Sequence, residues 1–257
     1  MRGMIILSEG RSGTNWLGSL TNSTGVLGVS QEWVDSVHMG VRPKDLSAEA
    51  YIQSILRHAS TDNDFFALKV FPRHVHWFSI FYGLDLLKEL GRHHDLLLIF
   101  VTRNDRLRQA ISFSRATQSH AWTIFHDRKK NEEYDFERIC RCYFSIGQSY
   151  EFWKSYLAVQ DLRHLHFAYE DLLPDPTPFV DAVANYAGIK TVPEYKTNLK
   201  IQSDTATEEW CERFSIEVKQ RGFVDTTASS NHPTRKLSNF IRFLRNQPLK
   251  PYPYTIL

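Results

Sequence analysis

The chain is poor in the residues that build stapled or metal-held folds. Its three cysteines in 257 residues, Cys140, Cys142 and Cys211, cannot all pair within the chain and carry no metal-site spacing. Its eleven histidines are scattered; His93-His94, His74-x-His76 and His164-x-His166 form no H-E-x-x-H pattern, so no metal is expected. No apolar run reaches the ~20 residues that span a bilayer, and Met1-Arg2 opens no signal-peptide layout. Net charge is small too, 31 basic against 29 acidic residues, which gives no compositional reason to expect nucleic acid as a partner. Together these absences predict a protein of a reducing cytoplasm, and a hydrophobic content of 42% excludes a disordered chain.

A further absence is local. Met4-Ile5-Ile6-Leu7-Ser8 reads as a buried strand and leads into Glu9-Gly10-Arg11-Ser12-Gly13-Thr14-Asn15-Trp16-Leu17, after which the pattern is helical. Strand, glycine-bearing turn and helix aim backbone N–H groups and a helix N-terminus at one point, which holds a phosphate or a sulfate. Arg11, Ser12 and Thr14 add side-chain donors. Yet no lysine follows the second glycine, so the G-x-x-x-x-G-K-[ST] loop of nucleotide triphosphatases is missing. The anion cradle is present without the lysine and metal equipment for triphosphates.

Further strands are predicted at Phe65–Phe71, Asp95–Thr102 and Leu162–Tyr169. Between them, Leu107, Ala110, Ile111 and Ser114 share a helix face behind a cap at Asn104 or Asp105. Phe136, Ile139, Cys140, Tyr143, Phe144, Gly147 and Tyr150 form the stripe of a long helix, Glu132 to Tyr156. Strands alternating with helices predict an α/β fold, a central parallel sheet flanked by helices, with anion sites at the carboxyl ends of strands. A single domain is expected over 1–225. No acidic residue follows Asp225, while Arg235, Lys236, Arg242, Arg245 and Lys250 do, and Leu237, Phe240, Ile241 and Leu244 share a face. Residues 226–257 therefore read as a basic helix and tail docked on the domain or on a partner subunit, with anionic lipid at the inner membrane surface as a second partner.

Three segments in order resemble one family. Arg11-Ser12-Gly13-Thr14-Asn15-Trp16-Leu17 is similar to the 5′-phosphosulfate loop of sulfotransferases that use 3′-phosphoadenylyl sulfate (PAPS). Gly25-Val26-Leu27-Gly28-Val29-Ser30-Gln31-Glu32-Trp33 resembles a G-V-x-G-x-x-Q-E-[FW] segment. Thr102-Arg103-Asn104-Asp105 through Gln109-Ala110-Ile111-Ser112-Phe113-Ser114-Arg115-Ala116 resembles R-x-D…Q-A-[VI]-S-x-x-R-A. These are segments of the bacterial Stf-type PAPS-dependent carbohydrate sulfotransferases, the group that includes the trehalose and nodulation-factor enzymes. The resemblance runs from about Met4 to about Phe214.

The resemblance implies a modified P-loop fold and a carbohydrate O-sulfotransferase, with PAPS as sulfuryl donor, 3′-phosphoadenosine 5′-phosphate (PAP) as product and no metal. It implies Arg11, Ser12, Gly13, Thr14, Asn15 and Trp16 for the 5′-phosphosulfate, and Arg103 and Ser112, with Arg115, for the 3′-phosphate. Glu32 is the implied base; as a dipeptide alone, Glu32-Trp33 would read as a solvated glutamate beside a core tryptophan. Arg11 and Lys69 would meet charge in the transition state. Lys69, a cation inside Ala67-Leu68-Lys69-Val70-Phe71, needs a partner, or else snorkels to water from the strand end. Gln31, Trp33, Gln118 and Trp122 fall to the carbohydrate or glycolipid acceptor, and His74 or His76 stands next in line as base. Trp77, Phe78 and Phe113 line the acceptor groove or fill the core. A homodimer is expected. Two other readings stay open: a P-loop phosphoryl transferase, and a non-catalytic nucleotide- or glycan-binding protein.

Overall fold

A run apolar on both faces forms a strand only where both faces are covered. In the computed structural model, which describes residues 1–35, 45–119, 132–199 and 205–223, that run is β1, Arg2–Leu7. Its Met4, Ile5, Ile6 and Leu7 are completely buried. Strand β2 (Phe65–Val70) pairs parallel on one side of β1 and β3 (Asp95–Thr102) on the other, while β4 (His164–Ala168) pairs parallel with β3. The order is β2-β1-β3-β4. Parallel neighbours need crossovers, supplied by α1 (Thr14–Ser23) and α2 (Ala48–Ala59) before β2, and α3 (Pro72–Tyr82) and α4 (Leu86–His93) before β3. The α/β architecture read from the sequence, a central parallel sheet flanked by helices, is the one observed.

The described residues group into two compact units, Met1–Asn104 with 149–199, and Asp105–Gln148 with 205–223. In the first, Met4, Ile6, Phe65, Ala67, Ile99 and Val101 project from the sheet into one core with Leu17 and Leu20 of α1. Phe179, Val180 and Val183 of α8 (Thr177–Ala187) complete that core. Burial of a leucine side chain contributes about 1.5–3 kcal/mol, so Leu17 and Leu20 fix the start of α1 against the carboxyl end of β1.

The second unit contains α5 (Arg106–Ser119), the beginning of α6 (Phe136–Val159) and α9 (Thr205–Arg221). Asp105 does cap α5, its Oδ1 accepting the Arg108 N–H at 3.0 Å. Phe136 and Phe214 stack at 5.0 Å, and Tyr134 donates to Glu217 at 2.6 Å.

Several predicted boundaries move: β1 runs from Arg2 to Leu7 rather than Met4 to Ser8, β2 stops at Val70 rather than Phe71, α6 ends at Val159 rather than Tyr156, and the start of α6 and both ends of β4 shift for local reasons. Helix α6 starts four residues late because Asp135 accepts the Arg138 N–H at 2.9 Å and so serves as its cap. Strand β4 is shorter than Leu162–Tyr169. Asp161 turns at φ 50° and the Leu162 N–H closes back on Leu157 at 3.0 Å, while Tyr169 opens a one-turn helix, α7 (Tyr169–Leu172). No helix among the described residues is long and apolar enough to cross a membrane. The tail 226–257 lies outside the described residues.

Candidate active site

The backbone leaves β1 at Leu7 and turns through residues 8–13 into α1. Arg11 at φ 65° and Gly13 at φ 86° both lie in the left-handed region. Only glycine suits the second position, since a Cβ there would meet the Tyr169 ring at 2.1 Å. Arg11 bears a Cβ and holds this conformation nonetheless, at a cost on the order of 1 kcal/mol or more. Neighbouring hydrogen bonds fix the turn. The Ser8 hydroxyl donates to the Val101 carbonyl at 2.6 Å and lies 2.7 Å from the Ser12 hydroxyl, and Trp153 Nε1 donates to the Ser8 carbonyl at 2.9 Å. Helix α1 takes no side-chain cap at Gly13 and has no acidic residue in its first turn, so its positive end suits an external anion.

Arg103, just past β3, reaches the same loop. Its Nη1 donates to the Arg11 carbonyl at 3.3 Å, its guanidinium carbon lies 5.3 Å from the Tyr169 ring centre, and its Nε is 3.7 Å from Glu170. That Nε is buried and has no hydrogen-bond partner among the described residues, a donor still to be satisfied. Glu170 also accepts the Asn104 N–H at 2.9 Å, and the Tyr150 hydroxyl accepts the Arg103 N–H at 3.1 Å. Trp16 meets Tyr169 edge-on at 5.9 Å.

The segment carrying Glu32 is laid against β2. Gly28, at φ 76°, packs so closely that a Cβ would sit 2.5 Å from the Ala67 nitrogen. The chain then runs alongside the strand, with the Lys69 N–H donating to the Gln31 carbonyl at 3.0 Å. Lys69 is 1% exposed, and its Nζ donates to Asn15 Oδ1 and to Gln31 Oε1, the latter at 3.4 Å. Burial lowers its pKa from the ordinary lysine range, Glu32 opposes that shift and Arg73 adds to it. The Trp33 indole donates to the Val29 carbonyl at 2.6 Å, and one face is covered by His58, stacked at 5.3 Å.

Glu32 is held by a residue that the sequence reading passed over. Arg73 Nη2 contacts its Oε2 at 2.8 Å, while Nη1 reaches Glu9 at 3.4 Å. Glu9 itself is buried and accepts from the Gly10 N–H at 2.7 Å and the Ser149 hydroxyl at 2.6 Å. His74, named as a reserve base, uses its Nδ1 to accept the Phe71 N–H at 3.1 Å, which places the neutral ring's proton on Nε2. In that form it donates. Trp77 is half-buried, whereas Phe78 and Phe113 belong to the core.

The first unit thus brings together Arg11, Ser12, Gly13, Thr14, Asn15, Trp16, Gln31, Glu32, Trp33, Lys69 and Arg103. The remaining expected site residues lie on α5 of the second unit or beyond the described residues. Ser112 is half-buried on α5. Arg115 is buried, with Nε donating to Glu132 at 2.6 Å, Nη1 to Thr207 at 2.7 Å and its face 5.7 Å from the Trp210 ring centre. Gln118 is latched to Glu133 by two hydrogen bonds of 3.0 Å, one from each end of its amide. Trp122 lies outside the described residues. Sequence reasoning missed Glu9, Arg73, Ser149, Tyr169 and Glu170; the one available signal was Glu9, an acid inside an anion loop that needs a cation of its own.

Among the described residues, no three His, Cys, Asp or Glu side chains gather as metal donors. Comparison with known proteins adds identity to this geometry. The chain is 23% identical over 256 residues to a trehalose 2-sulfotransferase of Mycolicibacterium smegmatis, covering 85% of this chain and 96% of that protein. It is 24% identical over 128 residues to the trehalose 2-sulfotransferase of Mycobacterium tuberculosis, covering 49% of this chain and 48% of that one. A solved sulfotransferase domain from the curacin biosynthetic pathway superposes with a TM-score of 0.42 at 12% identity, covering 84% of this chain and 98% of that domain. The family model described as Stf0 sulphotransferase matches residues 3–217, and with that span of the sequence matched, the chain belongs to the Stf0 sulphotransferase family.

Proposed function

We propose that the protein is an enzyme that moves the sulfuryl group of PAPS to a hydroxyl of a carbohydrate or glycolipid acceptor. The observation that carries this reading is the meeting of an uncapped helix start, the Arg11 turn and Arg103, whose buried Nε has no hydrogen-bond partner among the described residues, within the unit that also holds Glu32 and Lys69. These residues fit a multiply charged anion without a metal. When bound, PAPS supplies the sulfuryl group: the acceptor O–S bond forms, the S–O bond to the 5′-phosphate breaks, and PAP departs with that electron pair.

Glu32 takes the acceptor's proton, its carboxylate oriented by Arg73. Arg11, the loop N–H groups and the hydroxyls of Ser12 and Thr14 hold the 5′-end and meet the charge that develops on the leaving oxygen. Lys69 adds a buried cation on the Asn15 side of the loop. Arg103 takes the 3′-phosphate, with Ser112 as its expected companion. Arg115, the third residue expected for that phosphate, has its donors engaged by Glu132 and Thr207. Gln31 and Trp33 serve the acceptor, together with Trp122. Gln118, also expected at the acceptor, has its amide latched to Glu133.

The names of the two relatives support trehalose as the first acceptor to try. A cytoplasmic homodimer, with the basic tail 226–257 touching the membrane surface, completes the proposal. Two measurements test it. PAP without Mg²⁺ should raise the melting temperature and ATP should not; a ligand at 100 times its Kd stabilises by about 2.7 kcal/mol. Labelled PAPS with trehalose and a panel of sugars and glycolipids should then yield a sulfate ester. A protein stabilised by Mg²⁺-ATP and indifferent to PAP would be a phosphoryl-transfer protein instead.

A further inference from the structure

Arg73 stands in the first turn of α3, at the positive end of the helix, where a cation is locally disfavoured. That turn has no acidic residue of its own to offset it. The carboxylates that do so come from two distant segments: Glu32 at 2.8 Å and Glu9 at 3.4 Å. The guanidinium also lies 4.4 Å from the Phe71 ring centre, so it is fixed on three sides. Glu9 Oε1 accepts from both Arg73 and the Gly10 N–H, at 3.4 and 2.7 Å, and Glu9 Oε2 is taken by Ser149. An acid is thus built into the anion loop and neutralised by the same arginine that holds the candidate base. The other charged or titratable groups nearby are Lys69, which acts on Glu32 from β2, and His74, whose Nδ1 is occupied.

We propose that Arg73 is a positioning residue that joins Glu32 to the anion loop: through Glu9, the set of the Glu32 carboxylate and the anion affinity of residues 10–14 are fixed together. The inference rests on the sulfotransferase reading, because PAP is its probe. With Glu32 uncharged, Arg73 turns wholly to Glu9, which neutralises that acid more fully and releases the Gly10 N–H toward a bound anion. With Arg73 gone, Glu9 stands uncompensated beside the loop and repels one.

Calorimetric titration of PAP into wild type, Arg73→Gln, Arg73→Lys, Glu32→Gln and the Arg73→Gln/Glu32→Gln double variant tests this. Glu32→Gln should tighten PAP about threefold to tenfold, Arg73→Gln should weaken it about tenfold, and the double variant should match Arg73→Gln alone. Arg73→Lys should recover most of the affinity. Equal tightening by Glu32→Gln with and without Arg73 would mean a plain through-space charge effect and overturn the inference, as would wild-type affinity in Arg73→Gln. Melting curves check folding; if Arg73→Gln does not fold, Arg73→Met is read in its place, alone and with Glu32→Gln, and full additivity in that pair counts against the coupling. A wild type that binds no PAP overturns the donor reading and this inference with it, whereas binding with additive variants overturns this inference alone.

Discussion

Replacing Lys69 by methionine separates what the fold needs from what the proposed chemistry needs. The side chain is 1% exposed in a strand buried throughout. The effective cost of burying an ammonium is several kcal/mol after relaxation. Hydrogen bonds to a charged group return about 1.5–3 kcal/mol each. The Asn15 contact counts fully, whereas the Gln31 contact, at 3.4 Å from an exposed residue, counts for little. The balance is unfavourable by about 1–2 kcal/mol, and methionine, of similar length and free to adapt, should recover it. For a chain of this size that is a rise in Tm of about 3–6 °C. Alkaline pH supplies a second readout. Burial lowers the Lys69 pKa, so between that lowered value and the unfolded lysine's value the unfolded chain binds more protons. Wild-type stability therefore gains a contribution as pH rises through that window, and the methionine variant lacks it. Calorimetric melting from neutral to alkaline pH measures both effects, and PAP release from PAPS measures turnover, which should fall steeply. A methionine variant that melts below wild type would show that Lys69 is a net support of the fold, and one that keeps its turnover would remove the residue from the chemistry.

Arg103→Ala should weaken PAP by about 1.5–3 kcal/mol, the worth of charge-assisted hydrogen bonds, and should weaken adenylyl sulfate, which lacks the 3′-phosphate, much less; equal losses in calorimetry would refute the assignment. Glu32→Gln should lower turnover about a hundredfold or more, as loss of a general base does, while PAP binding persists; near-normal turnover would place the base elsewhere. Gly13→Ala must push its Cβ into Tyr169 from a left-handed backbone, so it should cost about 1–3 kcal/mol of stability and most PAP affinity. A variant that melts and binds PAP as wild type does would refute that.

The order and type of the strands are legible along the chain, but of the four only β3 has the bounds its apolar run predicts. β3 was bounded correctly because its apolar run ends at a polar residue on each side, and the anion loop declared itself through Gly10 and Gly13. The shifts at the start of β4 and of α6 come from single local turns, Asp161–Leu162 and Asp135, whose hydrogen bonds outweigh the apolar pattern, and β4 ends early because Tyr169 opens a helical turn. Partnerships across the sheet were not legible. That Lys69 would find Asn15 depends on the β1–β2 register, which sets Ile6 beside Lys69. That Glu9 and Glu32 would share Arg73 depends on α3 starting beside that loop. Neither dependence leaves a local mark, so Arg73 looked like any surface arginine.

Gly28 and the peptide after it carry a consequence for solubility. The outer edge of a sheet is a template on which other chains can assemble. Here the outer edge of β2 is already taken, by Gln31 opposite Leu68 and by Ser60 opposite Phe66, with the Thr61 N–H donating to Phe65 at 3.0 Å. The stretch that delivers Glu32 is therefore also the cover of that edge, and it covers with backbone. Glu32→Gln should leave a clear, monodisperse solution. A bulky residue at Gly28, which cannot fit against the Ala67 backbone, should lift the cover and turn a loss of turnover into light scattering and inclusion bodies. Inactive variants of this protein will thus divide by appearance in the tube, according to whether the side chain or the path of the chain was changed.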